Sequence, residues 1–181
     1  MHFLLDPLPE AHGGSALNSP VVVIGIGNEY RCDDGVGPAV AADINERALP
    51  GVRVVTGVQD PISLLDVWSG VALAVVIDAA VASPSTPGRI HRITVSDVTA
   101  ADGVSTHGLD VTQALALGQA VGREPDQLVV FTVEAADTGH GIGLTPQVAR
   151  AVPQVVDMVV AEINCNQHKA AAPRQCRCNP R

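Results

Sequence analysis

The chain alternates short, nearly uninterrupted runs of Val and Ile with longer segments whose apolar residues recur every three or four positions. Short β-branched runs read as strands buried on both faces, and the longer periodic segments read as helices with one buried stripe. Val21-Val22-Val23-Ile24-Gly25, directly after Pro20, is the first such run. Asp34 to Leu49 comes next as a helix, with Val36, Val40, Ala41 and Ile44 at helical spacing and Pro38 tolerated in the first turn. Pro50-Gly51 stops it, and Val52 to Thr56 forms a second strand. Asp60-Pro61 opens a short helix over Ile62 to Trp68. Val71 to Ile77 is the strongest strand pattern and ends at Asp78. Pro84 and Pro87 mark a turn, and Arg89 to Val95 mixes polar and apolar residues as an edge strand does. Leu109 to Val121 predicts a helix, Leu128 to Val133 a strand, and Thr145 to Ile163 a last helix with Thr145 at its N-cap and Pro146 at its first position.

Strands and helices that alternate along most of the chain predict an α/β fold: a three-layer αβα sandwich around a mostly parallel, twisted sheet of roughly five strands. The pattern divides the chain into a flexible N-terminal extension over residues 1–19, the αβα domain over 20–164, and a disordered, polar tail over 165–181. In such sheets, sites form beyond the carboxyl ends of the strands. Chemistry is therefore expected in the segments after Ile24, Thr56, Ile77 and Val133.

Composition narrows the classes. With 181 residues the chain suits one domain with a proper core. Hydrophobic residues make up 46% and charged residues 17%, which excludes a disordered chain. Aromatic residues make up only 2%, so the core is built from Val, Ala, Leu and Ile, and no stacking platform for single-stranded nucleic acid exists. The net charge of −8 is the wrong sign for a phosphate backbone, so no nucleic acid partner is expected. No apolar run approaches the roughly 20 residues of a membrane span. The first residues lack a basic region leading into a long apolar stretch, which points to the cytoplasm. Three of the four cysteines, Cys165, Cys176 and Cys178, sit near the C-terminus at no standard metal spacing, so neither a disulfide framework nor a zinc site is expected.

The segment after the first strand, Gly25-Ile26-Gly27-Asn28 through Asp33-Asp34-Gly35-Val36-Gly37, fails as a dinucleotide fingerprint because the third glycine would fall on Tyr30. One of Asp33 and Asp34 is accounted for by capping the next helix; capping does not need both. Asp78 closes the most apolar strand, and His107 lies in Ser105-Thr106-His107-Gly108, just before a helix. One imidazole and two carboxylates at one end of a sheet suit a divalent ion with positions left open for water or substrate. Each residue has a plainer reading: a cap or turn for the aspartates, a solvated loop position for the histidine. Asp33 reads as a cap or loop-stabilising residue. Cys32 has no visible activating partner, His91 reads as a surface residue of the edge strand, and Glu134 and His140 are weaker candidates after the last strand. No His-Glu-x-x-His helix or Gly-x-Ser-x-Gly elbow is present.

In order along the chain, Gly25-Ile26-Gly27-Asn28 with Asp33-Asp34-Gly35-Val36-Gly37, then Val76-Ile77-Asp78-Ala79, Ser105-Thr106-His107-Gly108-Leu109 and Gly143-Leu144-Thr145-Pro146 resemble the motifs of the hydrogenase maturation endopeptidases. The resemblance spans roughly Pro20 to Ile163. It implies a protease that removes a C-terminal peptide from the precursor of a [NiFe] hydrogenase large subunit once nickel has entered it. It also implies Asp34, Asp78 and His107 as metal ligands and catalytic residues; some family members carry Glu at the position of Asp34. The resemblance also implies that nickel is presented by the substrate and that another divalent ion can substitute for it. A monomer is expected. The alternative within this resemblance is a metal-sensing chaperone that binds the precursor without cutting it. A phosphorylase-like or nucleotide-binding domain ranks last, since the first loop offers no basic phosphate cradle.

Overall fold

The computed structural model describes residues 20–58, 60–94 and 111–171. Its elements run β1 (Val21–Gly25), a 3-10 turn (Cys32–Gly35), α1 (Val36–Glu46), β2 (Val52–Thr56), α2 (Pro61–Trp68), β3 (Leu73–Ala80), β4 (Ile90–Thr94), α3 (Val111–Val121), β5 (Leu128–Glu134) and α4 (Pro146–Ala171). The five strands form one sheet in the order β2-β1-β3-β5-β4. The first four are parallel neighbours, and β4 lies antiparallel on the outer side of β5. The expected αβα class and five-stranded, mostly parallel sheet are what the chain forms.

The strands separate two cores by strict alternation. Val21, Val23, Leu73, Val75, Ile77, Phe131 and Val133 face α1 and α4, where they meet Val36, Val40, Ile44, Val155 and Val159. Val22, Ile24, Ala74, Val76, Leu128 and Val130 face α2 and α3, where they meet Leu64, Trp68, Ala114 and Leu115. Apart from Phe131 and Trp68, aliphatic residues fill both layers. Truncating the fully buried Phe131 to alanine costs about 3–5 kcal/mol, because its neighbours cannot collapse into the space.

Of the boundaries that differ from the sequence reading, three have a clear physical cause. α1 begins at Val36 behind a 3-10 turn, because Cys32–Gly35 is bent to carry both aspartates inward. β3 runs through Asp78 to Ala80, where backbone pairing with β5 continues from Asp78↔Thr132 to Ala80↔Glu134. α4 continues to Ala171, which corrects the expected break at residue 165: at least residues 165–171 are helical. Asn166 there donates to Gln127 and Gln167 to the carbonyl of Pro50, and His168 and Lys169 in the last turn complement the helix dipole.

Two close approaches pull the first loop onto the sheet. A Cβ on Gly37 would lie 2.1 Å from the carbonyl oxygen of Ile26 and 2.6 Å from that of Ile77. Only glycine lets the start of α1 sit over the ends of β1 and β3. Gly27, at φ 119°, takes a conformation that L side chains rarely adopt, and its missing Cβ leaves room for the Asp34 carbonyl.

Candidate active site

The sheet order places a topological switch between β1 and β3: the chain moves from β1 outward to β2, then returns to the other side of β1. The crevice beyond the carboxyl ends of the two strands at such a point is where α/β sheets bind ligands. Asp34 comes after β1 and Asp78 lies on β3. The amide of Ile26 donates to the carbonyl of Ile77, 2.8 Å away, so the first loop leaves the sheet alongside β3.

Asp34 is buried at 5% exposure, and its Oδ2 accepts from the Asn28 amide at 3.0 Å. Asp78 is fully buried; its Oδ1 accepts from the Ala79 amide at 2.8 Å, and its Oδ2 has no hydrogen-bond partner among the described residues. Burial pushes the Asp78 carboxyl up to about 7, partly offset by the Ala79 amide, and the Asp34 charge pushes it further the same way. The two carboxylates thus feel one another across the switch point. Next to Asp78 in parallel register is Thr132, also fully buried, whose hydroxyl has no partner among the described residues. Leaving such a buried group unsatisfied costs about 1–3 kcal/mol.

Asp33 has a different role. Its Oδ2 accepts from the amides of Ala136 (2.8 Å) and Asp137 (3.0 Å) and from the Thr145 hydroxyl (3.0 Å), and its Oδ1 accepts from the Thr145 amide (2.7 Å). It stabilises loops, as expected, by tying the segment after β5 to the turn that carries Asp34. Neither aspartate caps α1: Gly35 holds the N-cap position and no side chain bonds there. Around Asp33 the two loops pair by backbone, through Cys32 N to Gly141 O (3.0 Å), Gly141 N to Tyr30 O (3.0 Å) and Asp33 N to Asp137 O (2.9 Å). The Arg31 guanidinium joins them by donating to the carbonyl of Thr138.

The remaining candidates fall away from the chemistry. Burial first, then the nearby Asp137 and Asp33, raise the Cys32 thiol, which disfavours the thiolate a nucleophile needs. Glu134 accepts from the Thr86 amide and holds His91 Nε2 at 2.7 Å; the Thr86 bond, then the His91 contact, keep its carboxyl below the usual range. His91 is therefore the partner of a buried carboxylate rather than a free surface residue. His140 is exposed. Asp60 caps α2 through the amides of Ile62 (3.0 Å) and Ser63 (2.9 Å).

His107 lies outside the described residues. Among those described, no three His, Cys, Asp or Glu side chains gather as a metal cluster. The two carboxylates nonetheless suit a divalent cation: both are buried, and Asp78 keeps one oxygen without a partner among the described residues. Sequence reasoning missed Thr132. Its signal is one hydroxyl inside the apolar run Leu128–Glu134, at the position that pairs with Asp78.

The fold and site together define a doubly wound α/β domain with a carboxylate pair at its switch point. Comparison with known proteins narrows this class: residues 38–162 match the family model for hydrogenase maturation proteases, and the chain belongs to that family. Hydrogenase 2 maturation protease of Escherichia coli (strain K12) is 24% identical over 147 residues, which is 79% of this chain and 90% of that protein. In fold the chain resembles the hydrogenase maturating endopeptidase HybD of E. coli, with TM-score 0.71, 22% identity, and 80% of this chain and 92% of that one covered. It also resembles the [NiFe] hydrogenase maturation protease HybD of Thermococcus kodakarensis, with TM-score 0.65, 19% identity, and 79% and 98% covered. Family membership makes the chain a peptidase of hydrogenase maturation whose substrate is a hydrogenase precursor. No described helix is long and apolar enough to cross a membrane.

Proposed function

We propose that the chain is a metal-dependent endopeptidase that removes the C-terminal extension of a nickel-loaded [NiFe] hydrogenase large-subunit precursor. Asp34, Asp78 and His107 are its metal-binding and catalytic residues in this reading. The observation that carries it is the pair Asp34 and Asp78 at the switch point, with one Asp78 oxygen lacking a partner among the described residues, in a chain of the hydrogenase maturation protease family. Nickel arrives as part of the substrate, and the site takes up the ion already seated in the precursor. A divalent ion held there supplies Lewis-acid polarisation of a carbonyl or lowers the pKa of a water.

The residues of the chain supply the rest. Asp34 is held by the Asn28 amide and so presents a fixed carboxylate. Asp78 is buried, with one oxygen held by the Ala79 amide and the other without a partner among the described residues, so it presents a single free oxygen to the site. His107 adds an imidazole. Asp33 keeps the loop after β5 closed against the turn of Asp34. The enzyme works in the cytoplasm as a monomer.

The test is a processing assay with purified precursor, with and without nickel. Cleavage of the nickel-loaded precursor alone is expected, with Asp78→Asn and His107→Ala folded but inactive. Cleavage of nickel-free precursor at the same rate removes the metal requirement. Binding of loaded precursor without cleavage makes the chain a chaperone instead.

A further inference from the structure

The sheet carries a polar rung of which the metal-binding reading uses only Asp78. Asp78 of β3 pairs with Thr132 of β5, and Thr132 pairs with His91 of β4. Their flanking residues Ile77, Phe131 and Val133 belong to the core under α1 and α4, so the rung points to the opposite face, the one that α2 and α3 cover further along the sheet. His91 is engaged with Glu134. Thr132 and Asp78 are both fully buried, and each keeps one oxygen without a partner among the described residues. Two adjacent buried polar atoms of this kind are a paired feature. Neighbouring strands lie ~4.8 Å apart, so the two short side chains stand side by side on one face, and a water that accepts from one hydroxyl and donates to one carboxylate oxygen would satisfy both buried atoms.

We propose that Thr132 is a positioning residue for Asp78: the Thr132 hydroxyl and the free Asp78 oxygen share one buried water, which sets the direction in which that oxygen faces. The inference rests on the reading of Asp78 as part of the active site, and it extends the site by one residue from β5. Thr132 is fully buried on the sheet and acts through Asp78, so its loss slows turnover and leaves precursor binding alone. A serine keeps the hydroxyl, whereas a valine keeps the shape and loses it.

Kinetics of precursor processing and high-resolution crystal structures test this together. Thr132→Val is expected to lower kcat by about 10–100-fold with KM unchanged, as loss of a group that orients a reactive residue does. Thr132→Ser is expected to restore most of the rate. The crystal structure of the wild-type protein is expected to show a water bonded to both oxygens, absent from the valine variant. Wild-type kcat in the valine variant, a serine variant as slow as the valine one, or a wild-type structure with no shared water each overturns the inference. If the valine variant does not fold, Thr132→Ala against Thr132→Ser asks the same question. If the wild-type enzyme cleaves no precursor, the proposed function fails, and the crystal structures still decide the shared water.

Discussion

Two buried aspartates, Asp33 and Asp78, end up in opposite circumstances within one site. Asp33 sits in a loop network and accepts four hydrogen bonds from Ala136, Asp137 and Thr145. Asp78 sits in a strand and accepts one, from Ala79. The first is a fastening: its bonds offset the cost of burying its charge, and they join two loops more than a hundred residues apart in sequence. The second is the reactive group of the proposed function: nothing described satisfies its other oxygen, and burial holds its carboxyl near 7. Burial alone does not distinguish a structural carboxylate from a catalytic one. The number of donors around it sets how far its burial is compensated.

The sharpest way to break this contrast is to remove each charge. Asp78→Asn is expected to abolish precursor processing and to leave folding intact, measured by accumulation of uncut precursor beside an unchanged circular dichroism spectrum. The same variant has a stability signature. A carboxyl raised to about 7 in the folded state and titrating near the ordinary 3.8 when unfolded binds more protons folded than unfolded, so wild-type stability falls as pH rises between those values. The asparagine variant lacks that loss. Its stability relative to wild type is expected to grow from about pH 4 to about pH 7 and to level off above, by up to roughly 4 kcal/mol. A gap that stays flat across this range in urea titrations contradicts the assignment.

Asp33→Ala is expected to be the more damaging change to the fold. It strands the amides of Ala136, Asp137 and Thr145, and the cost is about 3–5 kcal/mol in denaturant unfolding. Processing is expected to fall with it, because the turn that carries Asp34 loses its anchor. A milder probe of the same ribbon is Gly141→Ala, whose Cβ would lie 2.6 Å from the Cys32 sulfur. The side chain has to shift, at about 1–3 kcal/mol in the same unfolding measurement. The smallest effect is expected at the exposed pair Arg47 and Asp157, 3.7 Å apart, where Arg47→Ala changes stability by less than about 1 kcal/mol.

Much of the fold was legible in the chain itself. Val21–Gly25, Val52–Thr56 and the edge strand near Ile90–Thr94 arise from local patterns, since a β-branched run or a mixed polar alternation is a property of neighbouring residues. The cap at Asp60 and the start of the last helix after Thr145 arise from turn and capping chemistry, which is equally local. Helix α4 overran its expected end because residues beyond Ile163 are held by Gln127 and Pro50, contacts that no local pattern contains. Asp34 and Asp78 were legible too, because both lie near the carboxyl end of a strand pattern, and those ends can be marked before the strand order is known.

The sequence by itself determined the alternation of strands and helices, the αβα class, the aliphatic core and the motifs that carry its resemblance to the family. These are set by side-chain periodicity, steric preference and composition, all readable along one dimension. Only the tertiary structure decided which strands are neighbours, and so where the switch point lies. It alone decided that Asp33 is fully bonded while Asp78 keeps an oxygen unpartnered among the described residues, and that Thr132 stands beside it. Those outcomes depend on donors from distant segments and on exclusion of water by packed layers, and both exist only once the sheet has formed.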